Sequence, residues 1–385
     1  MGGGGARAGY QVGFLRCLAR RHPELRIPIL TGVSAGAINA AFLASHHGTF
    51  EQAVRELAGL WANLTVDEVF RVDFLSLARH VATWGLHLVS GGFIPARGLR
   101  SLVDTEPLRG FLNEALHAVD GELTGVRAAL ARGELEALAI TASSYTTGKS
   151  VTWVEGAEIR PWRRPRRQGR RATITVDHVM ASAAIPLLFP AVRIGDEYFG
   201  DGGIRLTAPL SPALHLGADR VMVISTRHEP RGDQREEPAV VGYPPPAQVM
   251  GTLLNTVFLD QLDQDVLHLE RLNELVNERG GETATGLRPV DLLTLRPSRD
   301  LGRLALDYEQ SLPRGFRFLT RGWGTRETRS ADMLSWILFE PDYLRRLMDE
   351  GEADAEAQCD EIERFLSSGA ETGEPAASGA RASPA

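Results

Sequence analysis

Apolar residues near the start of the chain recur at every fourth position, at Tyr10, Phe14 and Leu18. This spacing predicts a helix that ends just before Pro23. The apolar run 27–30 has the length of a buried strand, and the small apolar residues of 37–44 favour a second helix. A strand, a turn and a helix in this order form the repeating unit of α/β folds.

The later periodicity extends this pattern. Strands are predicted at 138–143, 150–155 and 220–225, with a hairpin at 191–199. Helical spacing predicts helices within 50–135, 177–184, 248–277, 333–339 and 342–348. Residues 160–171 are polar and predict a loop. The pattern therefore predicts an α/β fold whose central, mostly parallel sheet has helices on both faces, followed by a helical C-terminal extension.

Composition narrows the class of protein. The 385 residues are 43% hydrophobic and 24% charged, which is typical of a soluble globular protein. No apolar run is long enough to span a membrane, and no secretory leader is evident. Two cysteines are too few for a disulfide framework, so we expect a cytoplasmic protein. A net charge of −7 argues against nucleic acid as a partner.

One short motif carries candidate chemistry. Residues 32–36 read Gly-Val-Ser-Ala-Gly, which matches the pattern G-x-S-x-G at the end of a predicted strand. The glycines let the chain bend sharply, so that the hydroxyl of Ser34 is presented at the start of the next helix. The alternative is a tight turn with an incidental serine.

A serine hydroxyl needs a base and hydrogen-bond donors before it can attack a carbonyl carbon. Residues 2–5 are four glycines directly before the first predicted helix. Their N–H groups can point together at an anion near the helix N-terminus, as an oxyanion hole requires. A disordered leader is the alternative, and a phosphate-binding loop is excluded because no lysine follows.

These motifs resemble the patatin-like phospholipases. That family has a glycine-rich segment near the N-terminus, a G-x-S-x-G serine and a later D-G-[GA] aspartate, which this chain matches at 3–7, 32–36 and 201–203. The resemblance covers residues 2–226 and implies a three-layer fold. It implies a catalytic domain over 1–226 and a mostly helical extension over 227–366 that packs on it. Residues 367–385 have almost nothing to bury and predict a disordered tail.

The resemblance implies a role for each matching residue. Ser34 would be the nucleophile and Asp201 its base, although an Asp-Gly pair by itself is also a common turn. The oxyanion donors would come from Gly3, Gly4 and Gly5. The supporting motif residues are Arg7, Gly32, Gly36, Gly202 and Gly203, with Arg7 orienting the glycine loop or attracting a substrate phosphate.

The chain departs from the family pattern in two places. Ala8 stands where the oxyanion motif usually ends in glycine, and Met1 stands where a buried strand usually ends. We therefore expect a slightly distorted oxyanion loop if Ala8 needs an unusual backbone angle. We also expect an unpaired sheet edge beside the site, and a strand restored by about six to eight upstream apolar residues.

The resulting functional hypothesis is a serine acyl hydrolase. It would cleave fatty-acyl esters of phospholipids or lysophospholipids through a Ser–Asp dyad and an acyl-enzyme, with neither metal nor cofactor. The alternatives are an esterase of neutral lipids or short esters, and a catalytically weak lipid-binding protein. A Ser–His–Asp triad would instead require a base among His215, His228 and His268, all of which follow Asp201.

The arginine-rich segment 160–171 suggests a further contact. Its seven arginines, with Trp153 and Trp162 nearby, could hold anionic lipid headgroups at the inner face of the membrane. The alternative is a solvated loop in a chain whose 42 basic residues include a single lysine, Lys149. The ten histidines show no metal-binding spacing.

Overall fold

A computed structural model of the chain describes residues 1–71, 101, 103–156, 161–228, 249, 252–253, 255–257, 260–278, 287–311 and 332–368. Its strands are β1 (Ile29–Val33), β2 (Ala137–Ser144), β3 (Ser150–Gly156), β4 (Arg163–Arg164), β5 (Arg167–Arg171), β6 (Val192–Ile194), β7 (Glu197–Asp201), β8 (Arg220–Ile224) and β9 (Asp291–Leu295).

Five of the α-helices lie in succession between β1 and β2, and four strands then follow before the next helix. They are α1 (Gly9–Arg21), α2 (Ala35–Ser45), α3 (Phe50–Asn63), α4 (Val66–Val69), α5 (Glu106–Ala115), α6 (Thr124–Ala131), α7 (Val176–Ser182), α8 (Ser211–His215), α9 (Asp260–Glu278), α10 (Leu301–Ala305), α11 (Asp332–Ile337), α12 (Pro341–Ala357) and α13 (Cys359–Ser367). Single 3₁₀ turns cover Gly5–Ala8, Gly202–Arg205 and Leu306–Ser311.

The central sheet contains β1 to β7, and helices flank it, as the sequence predicts. Its strands are mixed in direction, so the expectation of a mostly parallel sheet is corrected. β1 runs parallel to β2 and β5 parallel to β3, whereas the other four pairs are antiparallel. The reason lies in the connections, because short turns such as the one at Gly195 and Asp196 can only join antiparallel neighbours.

Two strands meet end to end along one edge of β2. β3 occupies the other edge, while β1 pairs with the first part of β2 as far as Val33 opposite Thr141. β7 arrives from the opposite direction and ends with Asp201 opposite Ala142. The residue after β1 and the last residue of β7 are therefore brought to the same point of the sheet.

The two faces of β2 pack against different clusters. Leu138, Ile140 and Ala142 belong to the main hydrophobic core. Ala137 and Ala139 alternate with them and join a smaller cluster, which also contains Val154, Trp162 and Leu216. All eight residues of β2 are buried, which is expected for a strand covered on both faces.

Residues from the predicted extension share the core with the N-terminal part. Helix α12 packs along α1, and the buried hydroxyl of Tyr10 donates a hydrogen bond to Asp354 (3.0 Å). β9 pairs in parallel with β8 and adds one strand to a region predicted to be mostly helical. The division at residue 226 stays a prediction, and most of the predicted tail, residues 369–385, lies outside the described residues.

The segment predicted as a polar loop is instead a β-ribbon, as far as it is described. β5 pairs in parallel with β3, and Arg164 of β4 lies opposite Arg167 of β5. Periodicity missed these strands because their side chains are almost all charged, a composition that natural proteins use to protect sheet edges. Arg160 lies outside the described residues.

The first residues of the chain lie between the central sheet and the β8–β9 pair. The amine of Met1 donates to the carbonyl of Thr31 (2.8 Å), and the N–H of Val33 donates to the carbonyl of Met1 (3.3 Å). The side-chain amide of Gln11 donates to the carbonyls of Gly2 (2.8 Å) and Ile224 (3.3 Å). This glycine segment is thereby held against the end of β1.

Candidate active site

Ser34 occupies a strained turn between β1 and α2. Its backbone has φ 55° and ψ −134°, outside the regions that non-glycine residues normally adopt. The turn is tight because a Cβ on Gly32 would lie 2.6 Å from Ala37 Cα, and one on Gly36 would lie 2.3 Å from Gly2 O. The two glycines of the motif are therefore required by close backbone contacts around Ser34.

Asp201 lies directly against the hydroxyl of Ser34. Ser34 Oγ donates to Asp201 Oδ2 at 2.5 Å, and the N–H of Gly203 donates to Asp201 Oδ1 at 2.8 Å. The carboxyl group is fully buried, and this desolvation raises the pKa of Asp201 to about 7, against the lowering effect of those two hydrogen bonds. Gly202 and Gly203 open the 3₁₀ turn that follows Asp201.

Ser182 holds the backbone of Ser34, and the sequence analysis did not assign it a role. Its hydroxyl accepts a hydrogen bond from the N–H of Ser34 (3.0 Å) and donates one to the carbonyl of Thr141 (2.6 Å). The side chain is completely buried at the end of α7. A serine inside an otherwise small and apolar run, 181–186, is the one signal by which it could have been found.

The N-terminal glycines approach the same hydroxyl. A Cβ on Gly3 would lie 2.9 Å from Ser34 Cβ and 3.6 Å from Ser34 Oγ. Gly4 and Gly5 have φ values of 149° and 56°, and a Cβ on Gly5 would lie 2.1 Å from the carbonyl oxygen of Trp336. Within the described part of the chain, the N–H groups of Gly3 and Gly4 have no hydrogen-bond acceptor. They are available as donors beside Ser34.

Arg7 and Ala8, which follow the glycine segment after Ala6, do not distort it. Ala8 has φ −66° and ψ −12°, an ordinary helical conformation, so its Cβ causes no backbone strain. Arg7 is 4% exposed, its Nε donates to Ser335 Oγ (2.8 Å), and its guanidinium carbon lies 5.9 Å from the ring centre of Trp336. Arg7 thus joins the glycine loop to helix α11.

Comparison with protein families places the first part of the chain in a known family. The family model of patatin-like phospholipases matches residues 1–214, which is more than half of the chain. The chain belongs to the patatin-like phospholipase family. The resemblance noted in the sequence is thereby confirmed.

The other comparisons add little. The structural search finds the crystal structure of VipD from Legionella pneumophila, with 13% sequence identity and a TM-score of 0.35. That match covers 91% of this chain, which spans 66% of the length of the VipD structure. No curated protein matches the chain.

An apolar cavity lies beside Ser34. Its walls come mainly from α2, α3 and α5, and include Ile38, Phe42, Leu57, Leu60, Trp61, Leu64, Leu108, Phe111, Leu112, Leu116, Ile185 and Phe189. Phe42 is eight residues beyond Ser34 on α2, which corresponds to about 12 Å along a helix. The lining therefore extends about 12 Å along α2 from Ser34. Sequence analysis did not predict this cavity.

Two of the three histidines that follow Asp201 have other hydrogen-bond partners. His215 stacks on Trp162 with ring centres 4.7 Å apart, and its Nδ1 lies 2.8 Å from Ser211 O. The Nδ1 of His228 lies 3.0 Å from Pro297 O, and His268 lies in helix α9. Among the described side chains, Asp201 is the hydrogen-bond partner of Ser34 Oγ.

The described residues contain neither a cluster of metal ligands nor a membrane-spanning helix. No group of three or more His, Cys, Asp or Glu side chains there is arranged to hold a metal ion. None of the helices in the same residues has both the length and the apolar character needed to cross a bilayer.

Proposed function

We propose that the protein hydrolyses fatty-acyl esters of phospholipids or lysophospholipids through a Ser34–Asp201 dyad. The observation that carries this proposal is the direct contact of 2.5 Å between Ser34 Oγ and Asp201 Oδ2. A hydroxyl that already donates to a buried carboxylate needs no intervening imidazole for the transfer of its proton.

In the first half of the reaction, Asp201 takes the proton as Ser34 Oγ attacks the ester carbonyl carbon. The carbonyl oxygen becomes an oxyanion, which accepts hydrogen bonds from the N–H groups of the segment Gly3–Gly5. When the C–O bond to the alcohol breaks, the leaving oxygen takes the proton from Asp201. The products of this half are the free alcohol and an acyl group bound to Ser34 Oγ.

In the second half, water attacks the acyl-enzyme and gives its proton to Asp201. Collapse of the second tetrahedral intermediate breaks the bond to Ser34 Oγ, which takes the proton back as the fatty acid leaves. Each half reaction therefore uses one carboxylate as base and then as acid.

The surroundings of Asp201 support its proposed role as the base. An ordinary aspartate, with a pKa near 4, is a weak base at neutral pH. Burial raises the pKa of Asp201 to about 7, which brings its basicity close to neutral pH while leaving much of it ionised.

The cavity beside Ser34 supports an acyl chain as the group that is bound. Its lining is apolar, and burial of hydrocarbon contributes about 0.8 kcal/mol for each methylene group. A chain lying along α2 from Ser34 towards Phe42 would place its carboxyl carbon at the hydroxyl. The alcohol part of the substrate would then lie outside the cavity.

Two measurements test this function. A fluorophosphonate probe should add one label to the protein, on the peptide that contains residues 32–36. The label should be absent from Ser34→Ala but present in the control Ser211→Ala, which changes a half-buried serine outside the site. A panel of phospholipids, lysophospholipids, triacylglycerols and short esters, with products detected by mass, then identifies the substrate class. The proposal would be rejected if labelling persisted in Ser34→Ala, or if the protein released fatty acid from none of the lipids in the panel.

A further inference from the structure

The sheet register brings the arginine ribbon to the same edge of the sheet as the candidate site. β1 and β2 are parallel, so Ser34 lies at the edge where β2 ends. β3 begins at that edge, with Ser150 opposite Ser143, and β5 begins there too, with Arg167 opposite Ser150. The turn between β4 and β5 therefore projects from the edge that contains Ser34.

The arginine ribbon and the end of β2 lie close enough to the candidate site to form one surface with it. β5 is the second strand from β2, which corresponds to about 10 Å between their axes. Tyr145 lies just beyond the end of β2, three residues past the level of Ser34 and Asp201, or about 10 Å along the strand. The ribbon, the end of β2 and the site thus lie within one patch of a size that a flat partner can cover.

The ribbon carries cations that no acidic side chain of the described residues neutralises. Arg163, Arg164 and Arg166 are exposed, and among the described residues none of them forms an ion pair. The acidic residues of the neighbouring β6–β7 hairpin are already paired, Glu197 with Arg170 at 2.7 Å and Asp196 with Arg193 at 3.6 Å. The excess charge of this patch is therefore positive on a protein whose net charge is −7.

The same edge also exposes apolar side chains. Tyr145 and Tyr198 are both 49% exposed, and the N–H of Tyr145 donates to the carbonyl of Tyr198 (2.8 Å). Leu187 is 67% exposed and has φ 66°, a genuine outlier for a bulky residue. The chain on either side of it is fixed, because Ile185 and Phe189 line the acyl cavity. A strained backbone therefore holds an aliphatic side chain in solvent near the cavity.

We propose that this edge, formed by Arg163, Arg164, Arg166, Tyr145 and Tyr198, docks on an anionic lipid surface together with Leu187, which lies next to the cavity. The arginines contact headgroups, while the tyrosines and Leu187 enter the interface at the level where aromatic and aliphatic side chains are favoured. Trp153, which the sequence suggested for this role, is instead 3% exposed and packs edge-on against Phe199. The inference takes its partner, lipid, from the proposed function.

The test is vesicle co-sedimentation of the full chain carrying Ser34→Ala, so that binding is measured without hydrolysis. Vesicles of phosphatidylcholine alone are compared with vesicles that contain 30% phosphatidylglycerol. We expect at least tenfold stronger binding to the anionic vesicles at about 0.1 M salt, and most of this difference to disappear at about 0.5 M, because salt screens exposed charges.

Variants then locate the surface. The triple variant Arg163→Gln, Arg164→Gln, Arg166→Gln should bind anionic vesicles about 100-fold more weakly, since each arginine near such a surface contributes about fivefold. The matched control, Arg55→Gln, Arg127→Gln, Arg345→Gln, removes the same charge from exposed positions on α3, α6 and α12 and should bind within about twofold of the parent. Leu187→Ser should weaken binding to both kinds of vesicle.

Two results would overturn the inference: equal binding to neutral and anionic vesicles, or equal loss in the two triple variants. When Ser34 is kept, both triple variants should hydrolyse a soluble ester at the parental rate. If neither the parent nor the triple variants hydrolysed the ester, that result would count against the proposed function. The vesicle-binding result would still test the docking surface by itself.

Discussion

The two sides of the candidate site have opposite chemistry and different tolerances. On one side, a few polar groups, Ser34, Asp201 and Ser182, are connected by hydrogen bonds of 2.5–3.0 Å to each other and to the backbone. On the other side, a cavity is lined by apolar side chains from several helices. The polar side depends on single atoms, whereas the apolar side depends on volume.

This difference predicts that mutations on the two sides will have different effects on activity. Removing one atom from a connected polar group abolishes a step of the chemistry, because the members act as a unit. Changing the volume of the cavity alters which chain fits while the reacting groups stay in place. We therefore expect large, general losses on the polar side and selective changes on the apolar side.

The largest effect is expected from the dyad itself. Asp201→Asn keeps the shape of the side chain but removes the charged base, so ester hydrolysis should fall at least about 1,000-fold, as far as in Ser34→Ala. The double variant should lose little more than either single variant. Steady-state rates with a p-nitrophenyl ester measure this.

Histidine variants provide the control for the dyad. His215→Gln, His228→Gln and His268→Gln should each keep most of the activity, because none of these side chains is a hydrogen-bond partner of Ser34 Oγ. If one of them abolished hydrolysis in a folded protein while Asp201→Asn retained a substantial rate, a triad would replace the dyad.

The next effect is a dependence on pH. The pKa of Asp201 is raised from its ordinary value of 3.8 to about 7 by burial, and the proposed base must be ionised. The value of kcat/KM should therefore rise with pH, with a midpoint near 7, and fall about tenfold for each unit below 6. A flat profile between pH 5 and 8, in protein that circular dichroism shows to be folded, would contradict this assignment.

The same shift predicts a cost in stability. Because the folded-state pKa of Asp201 lies above its unfolded value, its contribution is most favourable below pH 4 and is lost as the pH rises through 7. Asp201→Asn, which has no charge to bury, should therefore melt at a higher temperature than the parent at pH 8. Calorimetry at pH 5 and pH 8 should show a smaller advantage at the lower pH.

On the apolar side, the expected change is in selectivity. Ile38→Trp places a larger side chain in the cavity one turn beyond Ser34 and reduces the free volume there. Hydrolysis of long-chain esters should therefore fall about tenfold or more, while acetyl and butyl esters change little. Leu43→Trp is the matched control, because Leu43 is half-buried on the same helix but outside the lining of this cavity. Equal loss for all chain lengths in Ile38→Trp would show that the cavity does not hold the acyl chain.

The smallest effect is expected from a change at the N-terminus, next to Met1. A second cavity lies between β1 and β8, next to Met1, and burial lowers the pKa of the Met1 amine to about 6. About six added apolar residues before Met1 could pair with both strands and remove this buried amine. We expect the melting temperature to rise by a few degrees, with no rise for a Gly-Ser extension of equal length.

The sequence predicted the local elements well. The spacing of Tyr10, Phe14 and Leu18 indicated α1, which the structure confirms over Gly9–Arg21. The hairpin around Gly195 and the strand at 220–225 are confirmed as well. These elements depend on periodicity and turn residues, which are short-range properties of the chain.

Long-range pairing decided what the residues by themselves left open. The spacing of Ser34 and Asp201 along the chain, 167 residues, predicts no contact between them. They meet because β1 and β7 end against adjacent residues of β2, a consequence of strand register. Only the order of motifs shared with a family pointed to this pair before the fold was known.

The sequence by itself determined the family, the predicted elements and the residues that are candidates for chemistry. Only the folded structure reveals the mixed sheet, the role of Ser182 in holding Ser34, the cavity and the shared edge of the arginine ribbon. The physical reason is that periodicity and turn propensity act over a few residues. Register, cavity shape and the burial that shifts the pKa of Asp201 depend on segments far apart in the chain.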